Sequence, residues 1–171
     1  MRILGIDPGL SATGYGVLEF DEQSDNCNHV AHGVIRTKSS QDLTIRLQII
    51  RDGISKIICE YSPFSGAIEG GFVGTNARSA LTLGQARAIA ILALGDGNLK
   101  VHEYSPNTVK QAVVGYGKST KQQVAEMVRL QLNLEQLPRP EDASDALAIA
   151  ITHWAYLRST ITDEINNDHL T

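Results

Sequence analysis

The sequence predicts an α/β fold in which a five-stranded mixed sheet is flanked by helices. Two observations lead to this prediction. The first three apolar segments follow one another through short polar connections, which indicates strands in a meander. The later apolar segments alternate with stretches whose apolar residues recur at helical spacing, which is typical of parallel strands joined through helices. The order β-β-β-α-β-α-β, followed by helices, therefore implies a mixed sheet covered by helices.

The five predicted strands are short apolar segments, and several of them end at turn residues. We place them at residues 2–7, 13–20, about 28–37, 66–69 and 99–104. The first strand stops at Asp-Pro-Gly, a turn signal. The polar stretch DEQSDN supplies a hairpin connection between the second strand and the third.

The first predicted helix runs from Leu43 to Tyr61, with Asp42 as its N-cap and Ser62-Pro63 as its end. Four more helices are predicted from apolar spacing, caps and breaking residues. They lie at 76–94, from Pro106 to about Val114, over STKQQVAEMVRLQL with Ser119 or Thr120 as cap, and from Asp142 to about Leu157.

Length and composition indicate one domain over residues 1–171, with about 160–171 as a polar, flexible tail. Apolar residues make up 42% and charged residues 20%, as in ordinary soluble globular proteins. Without a run of 18 apolar residues we expect no membrane span, and the N-terminus has no secretory pattern. Cys27 and Cys59 have neither metal-site spacing nor disulfide density, so we expect a cytoplasmic protein with reduced thiols, at least one of them buried.

The net charge of -4 does not by itself suggest a nucleic-acid partner, because phosphate binding usually needs a basic surface. The objection weakens if several acids are gathered at one metal site. Four carboxylates with two divalent cations give -4 + 4 = 0, so such a site would leave the rest of the surface near neutral. Composition therefore permits a DNA-binding protein without indicating one.

Four acidic residues lie where chemistry is expected. Asp7 and Glu69 each end an apolar strand, and Asp142 and Asp145 share one face at a helix start. A carboxylate that closes a buried strand needs a partner, and four carboxylates in one cluster would repel one another without cations. Hard oxygen ligands of this kind suit Mg²⁺ or Mn²⁺.

Each acid also has an ordinary structural interpretation. Asp7 before Pro-Gly can be a turn residue, and Asp142 with Asp145 can be a helix N-cap and first-turn acid. Glu69 is harder to explain in this way, because Gly66, Ala67 and Ile68 mark its strand as interior.

Two glycine-rich segments raise the possibility of nucleotide binding. GYGKST, at 115–120, resembles the end of a phosphate-binding loop, but Ala112 occupies the first glycine position and the preceding residues are predicted to be helical. The glycines of GIDPGLSATGYG follow a strand, as in actin-like ATPases and sugar kinases. An ATPase or kinase is therefore the alternative function, although 171 residues leave little room for its second lobe.

Four segments together resemble the RuvC family of Holliday-junction resolvases, which has a RNase H-like fold. The segments ILGIDPGLSATGYGV, AIEGGFVGTNARSALTLGQARA, VKQAVVGYGKSTKQQVAEMV and EDASDALAIAITH follow the family's order over about residues 3–154. The resemblance places the four catalytic and metal-binding acids at Asp7, Glu69, Asp142 and Asp145. One departure is Gly70-Gly71, where many relatives have bulkier residues.

The resemblance implies a homodimer that binds a four-way DNA junction and nicks two opposing strands symmetrically, in DNA recombination and repair. It implies further a base-stacking role for Phe72, a dimer interface on the helix at 76–94, and a branch-migration motor complex as partner. The candidate phosphate contacts are Arg78, Lys110, Lys118 and Lys121. A loop anchor for Phe72 and a solvated helix face for the cations are the structural alternatives.

The mechanism that follows is phosphodiester hydrolysis through two Mg²⁺ ions, with Mn²⁺ as a possible substitute. Asp7 would bridge the two ions, Glu69 and Asp145 would each hold one, and Asp142 would complete the second site or orient the attacking water. His153 is expected to be a core or surface residue instead of a general base, because it lies roughly 16 Å along the helix from Asp142. A non-catalytic junction-binding protein and a RNase H-like nuclease acting on RNA are the remaining alternatives.

Overall fold

A computed structural model describes residues 1–21, 26–70 and 76–168 of the chain, with side chains described up to residue 159. The five strands are β1 (Arg2–Asp7), β2 (Ala12–Phe20), β3 (Cys27–Arg36), β4 (Ser65–Glu69) and β5 (Lys100–Tyr104). The helices in these described ranges are α1 (Leu43–Tyr61), α2 (Ala77–Asp96), α3 (Pro106–Val114), α4 (Lys121–Gln131) and α5 (Glu141–Asp168).

The strands form one mixed sheet in the order β3-β2-β1-β4-β5. The meander β1-β2-β3 is antiparallel, whereas β4 pairs parallel with β1 and β5 pairs parallel with β4. The crossover between β1 and β4 passes through α1, and that between β4 and β5 passes through α2. The predicted α/β fold with a five-stranded mixed sheet flanked by helices is therefore confirmed.

Alternation along β1 sends side chains into two separate cores, because successive residues of a strand face opposite sides of the sheet. Ile3 packs in a core formed with α3, α4 and α5. Leu4 and Ile6 pack in a second core formed with α1 and α2. The sheet is therefore buried on both faces, and its functional side chains can reach solvent only at its ends.

The helix ends largely follow the predicted signals. Thr120 caps α4 through a capping box with Gln123, and Ser62 ends α1 in the left-handed conformation, with φ of 48°. Asp42 takes the N-cap position of α1, but its side chain accepts no capping hydrogen bond in the described structure. Helix α5 continues to Asp168, past the predicted end near Leu157.

Three smaller predictions concern the glycine-rich segment, the thiols and membranes. Helix α3 precedes Gly115, so GYGKST lacks the strand that a phosphate-binding loop requires. Cys27 is buried and Cys59 is exposed, and both are free thiols. Among the residues that the structure describes, no helix combines the length and the apolar character needed to cross a bilayer.

Candidate active site

Asp7 and Glu69 lie side by side because their strands are neighbours and run in the same direction. Ile6 pairs with Ile68 across the parallel β1-β4 ladder, and the next residue of each strand is the acid. Each acid is the last residue of its strand, at the edge where the carboxyl ends of the parallel strands meet. Strand pairing alone thus brings two carboxylates to one point of the sheet.

Two glycines allow α5 to bring the other two acids close to this point. A β-carbon at Gly14 would lie 1.9 Å from the backbone oxygen of Asp142, and one at Gly5 would lie 2.2 Å from that of Ala146. Only glycine permits so close an approach between a strand and a helix backbone. The first turns of α5, with Asp142 and Asp145, are therefore seated directly on β1 and β2.

Asp7 is the electrostatic centre of this arrangement. Its pKa is raised from 3.8 to about 8, first by burial and then by the charges of Glu69, Asp145 and Asp142. The pKa of Glu69 is raised as well, mainly by burial and then by Asp145. The structure thus brings the other three predicted acids within electrostatic reach of Asp7, and their charge together with burial disfavours its ionisation.

Two lysines partly compensate this charge. Nζ of Lys121 donates to Oδ2 of Asp145 at 2.9 Å, and this hydrogen bond raises the pKa of the lysine. The charge of Lys121 opposes the rise in the pKa values of Asp7 and Glu69, and the charge of Lys110 opposes the rise in the pKa of Glu69. Both lysines line a cavity of about 230 Å³, called here the catalytic cavity, together with Asp7, Glu69 and Asp145.

The donor set fits divalent cations in chemistry, although the carboxylates are not gathered tightly. Within the described ranges, no three Asp, Glu, His or Cys side chains are grouped closely enough to hold a metal ion as they stand. The ammonium of Lys121 is hydrogen-bonded to the carboxylate of Asp145. Burial together with like-charged neighbours favours the protonated form of Asp7. All four side chains offer hard oxygen ligands, so a divalent ion would relieve the repulsion that raises the pKa of Asp7.

The remaining predicted DNA contacts are spread around this end of the molecule. Lys118 is exposed beyond α3, and Arg78 is exposed in the first turn of α2. Lys110 is half-buried on α3 and Lys121 begins α4, so these two lie at the catalytic cavity. Phe72 lies outside the described residues.

Arg87 supports the site without having been predicted from the sequence. Its Nε donates to the backbone oxygen of Glu69 at 3.4 Å, and its guanidinium also pairs with Glu103. The side chain thus reaches from α2 to the ends of β4 and β5. No spacing in the sequence indicates this contact, because it depends on how α2 packs against the sheet.

A buried histidine lies farther along α5, on the same face of the sheet. His153 is fully buried, with Ser65 Oγ 2.9 Å from its Nε2 and the Tyr104 hydroxyl 2.8 Å from its Nδ1. Burial lowers the pKa of His153 to about 4, so the ring is neutral near pH 7. The expectation that His153 is a core or surface residue is confirmed, since the residue lies in the core.

Comparison with known proteins identifies relatives over almost the whole chain. The family described as crossover junction endodeoxyribonuclease RuvC matches residues 3–153. The crossover junction endodeoxyribonuclease RuvC of Syntrophotalea carbinolica is 51% identical over 90% of this chain and 93% of its own length. The protein of the same name from Caldanaerobacter subterraneus subsp. tengcongensis is 45% identical over 90% of this chain and 92% of its own length.

Solved structures show the same fold. The structure of Thermus thermophilus RuvC in complex with a Holliday junction substrate has a TM-score of 0.88 and 32% sequence identity. The match covers 94% of this chain and 96% of that one. The five-stranded sheet and its covering helices therefore have a close structural counterpart.

Proposed function

Since this chain belongs to the crossover junction endodeoxyribonuclease RuvC family, we propose that it resolves Holliday junctions by symmetric paired nicking, in DNA recombination and repair. The observation that carries the catalytic part of this proposal is the position of Asp7. Burial raises the pKa of Asp7 to about 8 together with the negative charges of three further acids, and bound cations would relieve the part of this shift that comes from like charge.

We assign metal binding to Asp7, Glu69, Asp142 and Asp145. Asp7, whose pKa is raised by the charges of the other three acids, would be shared between two ions, and Glu69 and Asp145 would each hold one. Asp142 would complete the second site or orient the attacking water. Two Mg²⁺ ions bound by these residues would supply a hydroxide nucleophile and stabilise the leaving 3′ oxygen, with Mn²⁺ as a substitute. The products would carry 5′-phosphate and 3′-hydroxyl ends.

The lysines of the catalytic cavity would position the scissile phosphate. Lys110 and Lys121 line the same cavity as three of the acids, so a DNA backbone that reaches the acids would also meet both ammonium groups. Lys118 and Arg78 are exposed and would contact phosphates farther away. Phe72 would stack on a base near the crossover. These contacts orient the DNA and do not take part in the bond-breaking step.

Symmetric nicking requires two active sites, and α2 offers the surface that would join two copies of the chain. Its exposed residues at helical spacing form one apolar stripe of leucines and small side chains. These residues are Leu81, Gly84, Ala88, Leu92 and Gly95. Leu81 is 65% exposed and Leu92 is 52% exposed, although both are large and apolar. A homodimer through α2 would bury them.

Two further parts of the proposal concern the cell. We place the enzyme in the cytoplasm, where its two thiols would stay reduced. A branch-migration motor complex is its proposed partner.

The test is cleavage of a labelled four-way junction, compared with linear duplex DNA and a RNA–DNA hybrid, in Mg²⁺ and in chelator. Paired nicks in the junction alone, and only with metal, are expected. Cutting of the hybrid instead would be consistent with the proposed metal site but would overturn the proposal that a four-way junction is the substrate. Tight junction binding without cleavage in any metal would overturn the nuclease assignment.

A further inference from the structure

A second cavity lies beside the catalytic cavity, between α4 and the segment that leads into α5. It has a volume of about 260 Å³, and its walls include Lys121, Ala125, Pro138, Arg139, Ser144 and Asp145. We call it the flanking cavity. Lys121 and Asp145 line both cavities, so the two adjoin at the ion pair between these side chains.

Ser144 gives the first sign that the flanking cavity is built to bind a ligand. Only 3% of this residue is exposed, and its Oγ has no hydrogen-bond partner among the described residues. Buried hydroxyls in proteins are almost always hydrogen-bonded, because burying one without a partner is unfavourable. Ser144 lines the flanking cavity, so a ligand oxygen that came within reach of its hydroxyl would remove the deficit.

Arg139 gives the second sign. Its side chain is exposed and forms no ion pair with any residue in the described ranges. The backbone around it is constrained, because Pro138 precedes it and Pro140 follows it. Pro138 is buried, which anchors this segment to the protein. The backbone of Arg139 is thus restrained beside the flanking cavity, and its exposed side chain forms no ion pair among the described residues.

The charged side chains that line this cavity are two cations, Lys121 and Arg139, and two acids, Glu141 and Asp145. Asp145 is paired with Lys121 at 2.9 Å, and Glu141 is exposed at the start of α5. Arg139 is therefore the cation of this cavity that forms no ion pair among the described residues. A guanidinium binds the oxygens of a phosphate through two parallel hydrogen bonds, which a lone ammonium cannot do.

We propose that the flanking cavity binds a phosphodiester of the cleaved DNA strand, next to the scissile phosphate. Arg139 pairs with its oxygens, and the Ser144 hydroxyl donates a further hydrogen bond. This inference rests on the proposed function, because it takes junction DNA as the substrate. The site would fix the register of the strand, so that one particular phosphate reaches the four acids.

The first test measures junction binding by the full-length protein in chelator, as fluorescence anisotropy at several salt concentrations. Arg139→Gln should weaken binding by about tenfold and reduce the salt slope by about 1, as expected for the loss of one phosphate contact. Arg139→Lys should recover the salt slope but only part of the affinity. The control is Arg51→Gln, because Arg51 pairs with Asp96 on the helices of the other sheet face. An unchanged salt slope in Arg139→Gln would overturn the proposal.

The second test locates the phosphate. Junctions are prepared with a single uncharged methylphosphonate at the scissile step, at each adjacent step of the same strand, or on the opposite strand. At one adjacent step the loss caused by the methylphosphonate and the loss caused by Arg139→Gln should not add, because both remove the same contact. Additive losses at every adjacent step, or non-additivity only on the opposite strand, would overturn the assignment.

Ser144→Ala separates a ligand contact from a packing role. The variant should bind the junction a few-fold more weakly and cleave with a raised KM, while its thermal stability stays the same or rises because an unpaired hydroxyl is removed. Unchanged affinity with raised stability would exclude Ser144 from the site. Failure of the inference is distinguishable from failure of the proposed function. Wild-type cleavage of the junction with normal binding by Arg139→Gln defeats only the inference, whereas wild type that ignores the junction defeats both.

Discussion

Two regions of the same interface between α5 and the sheet are built in opposite ways. At the start of α5, Asp145 and Asp142 approach Asp7 and Glu69, and burial with like charge raises the pKa of Asp7 to about 8. Farther along α5, His153 is fully buried, and both of its ring nitrogens have hydroxyl partners. The first region is electrostatically unfavourable as it stands, whereas the second is satisfied.

The difference separates residues that serve stability from residues for which we propose a role in chemistry. The His153 network is neutral near pH 7 and links β4, β5 and α5. Each ring nitrogen of His153 has a hydroxyl partner in it. The carboxylate cluster lowers stability in the absence of cations, since it gathers charges that repel. A protein retains such a cluster when a ligand compensates the charge. Changing one residue in each region should therefore have opposite effects on folding and on activity.

The largest expected effect is on cleavage. Asp7→Asn should lower the rate of junction cleavage by roughly 10³-fold or more, because losing several kcal/mol of metal-dependent stabilisation costs about tenfold for each 1.36 kcal/mol. Junction binding should be retained. Single-turnover cleavage and anisotropy measure the two properties, and Asp42→Asn, an exposed acid outside the cluster, is the control. Cleavage near the wild-type rate would show that Asp7 is not part of the catalytic site.

The next effect is on stability in the second region. His153→Ala leaves the Ser65 and Tyr104 hydroxyls buried without their partner and creates a cavity, so it should lower the free energy of unfolding by about 3 kcal/mol. Tyr104→Phe, which removes one hydroxyl, should cost about 1 kcal/mol. Urea unfolding measures both values. Equal losses in the two variants would mean that the network is not centred on His153.

The two regions should also set opposite limits on the stability of the protein against pH in chelator. Asp7 keeps its proton in the folded state up to about pH 8 but has an ordinary pKa of 3.8, so stability should fall as pH rises through this range. His153 has a folded pKa of about 4 against an ordinary 6.5, so stability should also fall as pH drops below 6.5. Between about pH 4 and 6.5 the two contributions oppose each other, so stability should be highest in that range and should fall between pH 6.5 and about 8.

Substitution tests whether Asp7 causes the fall in stability as the pH rises to about 8. Asp7→Asn should flatten the fall above neutral pH and raise the melting temperature at pH 8 by at least about 2–4 °C, the shift that 1 kcal/mol produces in a chain of this size. Thermal unfolding in chelator, followed by circular dichroism, measures the effect. Added Mg²⁺ should stabilise wild type more than the variant. A variant less stable than wild type at pH 8 would contradict the account.

The smallest expected effect concerns the ion pair beside the cluster. The side chain of Lys121 is 74% exposed, so Lys121→Gln should change the free energy of unfolding by less than about 1 kcal/mol. Its effect on cleavage should be larger, because the phosphate would lose a contact in the catalytic cavity. Denaturant unfolding and steady-state cleavage provide the comparison. A loss of stability as large as that of His153→Ala would assign Lys121 to the structural region.

Much of this architecture could be predicted from local patterns. Each strand and helix follows from apolar periodicity and from turn and cap residues within a few positions, such as Thr120 at the start of α4. Asp7 and Glu69 were recognised because a charge that ends an apolar strand is unusual. Their neighbourhood follows once the strands pair in parallel. The extent of α5 beyond Leu157 was not foreseen, since the polar residues there give no apolar stripe.

What the sequence by itself determined is the order of elements and a mixed sheet covered by helices, and it singled out the four acids as candidates for the site. Only the tertiary structure placed Lys121 on Asp145, 24 positions away, and joined His153 to Ser65 across 88 positions. It alone set the unpaired Ser144 hydroxyl beside Arg139 in one cavity. The physical reason is that burial, pKa and hydrogen-bond satisfaction depend on which distant segments pack together, and periodicity within one segment carries no information about them.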